Sequence, residues 1–172
     1  MTIFQRHSRL TVWFYILLAV IRRALETMRL QYWKTVRGWD IGAKVRVHWS
    51  AKLPRTLNVH LKDRACISPN VRIIAEAPGG TLCMGADASV SQHATLDVSG
   101  ELIIGERVVI SDSAMIYTHS HGQDPRSKPR MHRLEIGNDV WVCARAMVLS
   151  SARKVPDGTI VPANSVWKNP PK

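Results

Sequence analysis

The sequence predicts an all-β chain, a parallel β-helix of about six coils, preceded by an N-terminal amphipathic α-helix. Three observations predict it. An apolar residue recurs every six positions between Ile41 and Trp167. A column of small residues runs four places behind it. Before residue 41 the apolar residues fall instead at helical spacing. The composition agrees: 172 residues with 45% apolar and 22% charged side chains suit one domain with a sizeable core. They exclude a disordered acidic chain, a collagen-like repeat and a polytopic membrane protein.

Residues 1–40 read as a basic, amphipathic helical segment. Leu10 to Ile21 is an apolar run broken only by Thr11, too short to cross a bilayer, which takes about 20 residues. No small-residue cleavage site follows, and Arg22 and Arg23 come at once, which argues against a signal peptide. Leu10, Trp13, Phe14, Leu17, Ile21, Leu25 and Met28 recur at i, i+3, i+4 and i+7 offsets, with Arg22, Arg23, Glu26 and Arg29 between them. An apolar face with aromatics beside a face of arginines suits an anionic membrane surface. Packing on the domain or on a partner subunit is the other use of such a face.

From Ile41 to the end, the period is neither helical nor that of a simple strand. Blocks of six-residue spacing run Ile41, Val47, Leu53, Val59, Ala65, Val71; then Met84, Val90, Leu96; then Ile104, Ile110, Ile116; then Ile136, Val142, Val148; then Val155, Val161, Trp167. Leu57 and Asp63 are the exceptions in the small-residue column. Gly42, Gly85, Gly105 and Gly137 directly follow an apolar position, and Asp87, Asp139, Gly158 and Asn164 stand three places after one, as tight corners require. Three hexapeptides make one triangular coil, which buries its apolar faces only against its neighbours. Two stretches interrupt the period: 73–83, with Pro78-Gly79-Gly80, and the loop 117–135, rich in Pro, Arg and His. A loop leaving a rigid stack is a favoured place for function.

The net charge is +11. Residues 1–64 hold thirteen bases against three acids, so ten of the eleven excess charges lie in the first third. The bases lack the interleaved stacking aromatics of a single-strand groove, so no nucleic acid is expected. Cys66, Cys83 and Cys143 are odd in number and far apart, which fits a reducing compartment and neither a disulfide framework nor a zinc knuckle.

Residues 41–172, most clearly 84–121 and 136–167, resemble the left-handed β-helix hexapeptide-repeat acyltransferases. The resemblance is carried by IGNDVWVCARAMVL (136–149) and VPDGTIVPANSV (155–166), similar to that family's closing coils. Within the family it is to sugar O-acetyltransferases of the colanic acid or exopolysaccharide type and of the galactoside and maltose type. It implies a left-handed coil and direct transfer from acetyl-CoA to a hydroxyl of a sugar or glycan precursor in bacterial polysaccharide biosynthesis. It also implies a homotrimer with its sites between subunits. Together with the basic helix, it places the enzyme in the cytoplasm, peripheral on the inner face of the membrane. N-acylation of an amino sugar, or a non-catalytic membrane-docked scaffold on the same stack, are the alternatives.

The site residues follow from the same resemblance, with chemistry that suits them. Tyr117-Thr118-His119-Ser120-His121-Gly122 opens the long loop, where the family carries a general-base His, and neutral imidazole suits proton removal near neutral pH. Counting from Ile116 favours His121, with His119 the second candidate. Trp141, Ser91 and His93 are candidates for lining the acceptor site. Arg145, Arg153, Lys154 and Lys168 are the bases near the closing coils for the phosphates of coenzyme A. An H-x-H pair can also ligate a metal, but His93 and His132 do not match the three-His spacing of the family's carbonic anhydrases, and no metal is expected. Cys66 and Cys143 read as small structural residues.

The chain departs from the family's pattern at three places. One extra residue separates Val148 from Val155, the early coils have little Gly, and no long C-terminal helix precedes Lys172.

Overall fold

A computed structural model describes residues 9–54, 56–76 and 78–168. Arg6, Arg55 and residues 169–172, and the side chains of Arg9 and Leu10, lie outside that description. Helix α1 (Arg9–Val36) leads into a parallel β-solenoid of six coils.

The solenoid has three faces. Face I stacks Asp40–Ile41, Asn58–Leu61, Thr81–Met84, Glu101–Ile104, Leu134–Ile136 and Lys154–Val155. Face II stacks Arg46–Val47, Cys66–Ile67, Ser89–Val90, Val109–Ile110, Trp141–Val142 and Ile160–Val161. Face III stacks Arg72–Ile74, Thr95–Asp97, Met115–Ile116, Met147–Val148 and Val166–Trp167, with a bridge from Lys52 to Arg72 below. All stacked pairs on these faces are parallel. Inward Leu, Ile, Val and Met side chains form one continuous buried column with the small corner residues Ala65, Ala88, Ala94, Ala114 and Ala146.

The expected register holds from Met84 onward and slips by two in the second coil. Leu61, not Val59, pairs with Met84, and Ile67 and Ile73 pair with Val90 and Leu96. The slip accounts for the two misfits in the small-residue column. With Leu61 as the inward position, the corner residue is the buried Ala65, and Asp63 lies in the preceding turn.

Two corners are strictly regular. At the I/II corner Lys44, Arg64, Asp87, Arg107 and Asp139 all have φ near +57°, between 55° and 60°. At the II/III corner Asn70, His93, Ser113, Arg145 and Asn164 repeat the same conformation. The glycines that open the I/II corner are there for close approach between coils. A Cβ on Gly85 would sit 2.5 Å from the carbonyl carbon of Gly105, and one on Gly105 2.7 Å from that of Gly137. Every departure from six-residue spacing falls at the III/I corner: Leu53 to Leu61, Ile73 to Met84, Leu96 to Ile104, Ile116 to Ile136 and Val148 to Val155. The extra residue before Val155 is taken up by a 3₁₀ turn, Ser150–Ala152.

Helix α1 closes the lower end of the stack. Backbone N–H groups of the first coil donate upward, as from Arg46 to Ala65 and from His48 to Ile67, so carbonyls of that coil face the open end. Arg29 donates to the carbonyls of Val47 (3.0 Å), His48 (2.8 Å) and Trp49 (2.8 Å), and Lys34 to that of Ile41 (3.2 Å). Trp33 packs against the buried Trp39, ring centroids 4.8 Å apart and planes tilted by 42°. Arg29→Ala removes three charge-assisted bonds at once and is expected to cost about 2–3 kcal/mol, read as a lower denaturant midpoint.

The other half of the helix holds its large apolar side chains in the open. Between Val12 and Ile21 large apolar side chains are exposed on every side, from Leu18 at 45% to Trp13 at 68%. The sequence suggests a single apolar face; because the run is continuous, steps of one residue carry it around the whole circumference.

Candidate functional site

The III/I corner gathers a connected polar cluster around Asp97. Asp97 closes a face III strand directly after the inward Leu96 and is fully buried. Its Oδ2 accepts from Thr118 N (2.7 Å), lies 2.8 Å from Thr118 Oγ1 and 2.8 Å from His119 Nδ1. Its Oδ1 accepts from Ser99 N (3.2 Å) and from the Ser99 hydroxyl. Burial pushes the Asp97 carboxyl up, but the hydrogen bonds from Ser99, His119 and Thr118 outweigh it and hold the carboxyl below its ordinary range. Asp97 is therefore an ionised, buried, fully satisfied carboxylate.

An ionised acceptor fixes the tautomer of its partner. Facing Asp97, His119 Nδ1 carries the proton, and in the neutral ring Nε2 bears the lone pair. The His119 side chain is 12% exposed and Nε2 lies 3.2 Å from Glu76 Oε1. His121 repeats the arrangement one step further out. Its Nδ1 donates to the Ser127 carbonyl at 2.7 Å, and its Nε2 lies 3.3 Å from Glu76 Oε2. The hydrogen bond to Ser127, and then Glu76, raise the His121 pKa above the ordinary value. The two rings stand edge to face, 5.4 Å apart.

The loop that carries the histidines is tied back to the stack. His119–Ser120 pairs antiparallel with Arg130–Met131, His132 N donates to the Thr118 carbonyl at 2.7 Å, and the Ser127 hydroxyl donates to the His121 carbonyl at 2.6 Å. Gly100 lets this loop approach, since a Cβ there would lie 2.1 Å from the His132 carbonyl oxygen.

Of the residues expected from sequence, His119 and His121 come together here. Arg153 and Lys154 lie at the same edge one corner above the loop, with Lys154 paired to Glu135 at 3.2 Å, and Lys168 follows one corner higher. The others stand elsewhere on this chain. Ser91 and His93 are at the II/III corner, at the opposite end of the face III strand from Asp97, and His93 is an exposed turn residue at φ 60°. Arg145 occupies the same column two coils higher. Trp141 is on face II, 48% exposed, its indole N–H donating to the Ser111 hydroxyl at 2.8 Å. Asp97 and Glu76 escaped the sequence reading. The signal that points to them is the III/I corner itself, the one corner where the count of six fails in every coil.

Cys83 offers no ready nucleophile, since burial and the Glu101 charge push its thiol up. Among the described residues no helix is long and apolar enough to cross a membrane.

No protein-family model matches the sequence, and no curated protein does. Among solved structures the chain is similar to a hexapeptide-repeat-containing acetyltransferase from Vibrio cholerae O1 biovar eltor complexed with acetyl coenzyme A. The TM-score is 0.39 and the identity 19%, over 74% of this chain and 55% of that one. It is also similar to a hexapeptide transferase family protein from Anaplasma phagocytophilum, with TM-score 0.33 and 14% identity over 77% of this chain and 76% of that one. The chain thus spans about half the length of the Vibrio protein, 55%.

Proposed function

We propose that the chain is an acetyl-CoA-dependent O-acetyltransferase acting on a sugar or glycan precursor, with His119 as general base. The observation that carries the reading is the Asp97–His119 pair: a buried carboxylate holds Nδ1–H, so that Nε2 presents its lone pair at the edge of the stack. In the transfer step Nε2 takes the proton of the acceptor hydroxyl as its oxygen attacks the thioester carbonyl carbon. The tetrahedral intermediate collapses with cleavage of the C–S bond, and the imidazolium returns the proton to the coenzyme A thiolate. The products are the acetyl ester and free coenzyme A, with no acyl-enzyme. His121, ranked first from sequence, takes second place because a backbone carbonyl in an exposed loop, not a buried carboxylate, orients its ring. Arg153 and Lys168 stand along that edge and are the bases proposed for the coenzyme's phosphates.

Retention on a coenzyme A resin, reversed by free coenzyme A, and thiol release from acetyl-CoA in the presence of glycan acceptors test this reading. Release with amino sugars alone turns it to N-acylation, and absence of both retention and release leaves a scaffold. A homotrimer belongs to the same proposal, supported by the exposed stripe of Val109, Trp141 and Ile160 in register on face II.

Helix α1 gives the enzyme an address on an anionic membrane surface, in the cytoplasm and peripheral on the inner leaflet. Its apolar half is exposed all round, which suits immersion in lipid better than a single seam against another helix. Arg22 and Arg23 follow at once, and each basic residue near anionic lipid adds about 1 kcal/mol. The full chain is expected to float with vesicles containing phosphatidylserine and to stay behind with phosphatidylcholine alone. Trp13→Glu combined with Leu17→Glu is expected to abolish flotation, and flotation unchanged in that variant would remove the helix from the proposal.

A further inference from the structure

Glu76, His119 and His121 bring three ligand-type atoms together at the III/I edge, all within 4.8 Å of one another. Asp97 holds His119 Nδ1 as a donor, and the Ser127 carbonyl, an acceptor only, holds His121 Nδ1 as a donor. Each neutral ring therefore turns an Nε2 lone pair toward the same carboxylate, at 3.2 Å and 3.3 Å from its two oxygens. Asp97 stands behind one ring and the Ser127 carbonyl behind the other. The open Nε2 atoms and the carboxylate therefore share one meeting point, the arrangement of a ligand set.

We propose that Glu76, His119 and His121 form a two-histidine, one-carboxylate site for a divalent transition-metal ion of the zinc type. Imidazole and carboxylate ligands of zinc stand at about 2.0–2.2 Å from the ion in a tetrahedron, which sets neighbouring ligand atoms about 3.3 Å apart. From the one oxygen Glu76 Oε1, His119 Nε2 lies at 3.2 Å and His121 Nε2 at 3.4 Å, close to that edge, and the three ligand atoms all lie within 4.8 Å of one another. The outer shell is also that of a metal site: metal-bound His donates its other N–H to a carboxylate or a backbone carbonyl, which fixes the tautomer. Here Asp97 and Ser127 do so. The donors rest on two coils and a loop strapped to the stack. Glu76, 42% exposed at its side chain, leaves the solvent side open for a fourth ligand. The site rests on geometry alone and not on the proposed acyl transfer. If that transfer operates, the ion takes the same Nε2 lone pair that the base uses, so metal binding switches transfer off.

Titration of the chelator-stripped full chain with Zn2+ against a chromophoric competitor, with no acetyl-CoA or acceptor present, tests it. One ion per chain is expected. His121→Ala and Glu76→Gln are each expected to lose the tight site, Asp97→Asn to weaken it by about 10–100-fold, and His93→Ala, at a distant corner, to leave it intact. Co2+ is expected to give the visible bands of a four-coordinate nitrogen and oxygen site. Absence of binding in the parent chain, binding unchanged in both ligand variants, or a thiolate charge-transfer band pointing to the cysteines would each overturn the proposal. Because the readout uses no substrate, a failure of acetyl transfer leaves the result standing, and the converse also holds.

Discussion

His119→Ala lowers the rate of acetyl transfer by about 10²–10⁴-fold, the range for removal of a positioned general base, and leaves the KM for acetyl-CoA largely unchanged. The split follows from the geometry. The polar contacts of the His119 ring are with Asp97 and Glu76, not with the bases proposed for the coenzyme phosphates, so its loss is expected to remove a step in the chemistry and not a binding contact. The proton has a defined path because Asp97 leaves the ring no choice of tautomer. His121→Ala is expected to cost much less, since its ring is oriented by the Ser127 carbonyl in an exposed turn of the loop. Initial rates of thiol release for the two variants check this. A fully active His119→Ala beside an inactive His121→Ala moves the base to His121 and overturns the assignment.

Asp97→Ala has the largest expected effect on stability, about 3–5 kcal/mol, the cost of leaving several buried donors without their common acceptor. The carboxylate is the common acceptor for Ser99 N, the Ser99 hydroxyl, Thr118 N and His119 Nδ1, all at the corner where the loop leaves the stack. Alanine leaves these donors facing one another in a site without water access from the Asp97 side, which is fully buried. Urea unfolding followed by circular dichroism is expected to show the loss as a lower midpoint at unchanged slope. Asp97→Asn, with its amide oxygen in the Oδ2 place, still accepts from Thr118 N and His119 Nδ1 and is expected to fold, yet to lower kcat with KM unchanged, because the charge that stabilises the imidazolium is gone. An Asn variant with normal kcat would make Asp97 a structural residue alone.

Much of the architecture is legible in the sequence because inward positions are set by local spacing. Met84, Val90 and Leu96, and each triplet after them, are buried where the six-residue count puts them. The count fails between Leu53 and Leu61 because nothing local distinguishes Val59 from Leu61. Both are buried, and only pairing with the next coil decides which is equivalent to Met84. The histidine pair is legible from its place in the loop. Asp97 is not, because T-L-D-V-S-G reads as an ordinary strand end with a turn former. Its partner lies 22 positions away, and their meeting depends on how many residues the intervening corner absorbs. Glu76 meets His121 across 45 positions for the same reason.

That corner has a further consequence. With the I/II and II/III corners locked to one count, any segment added at III/I leaves every inward residue in phase, and the stack grows a new appendage without repacking. The III/I edge is thus a mounting rail. Reactive parts can be exchanged along it in one coil while the neighbouring coils hold their dimensions. Residues added there can also be drawn into the core, as Leu57 is, buried and holding the Trp39 indole N–H through its carbonyl at 3.0 Å.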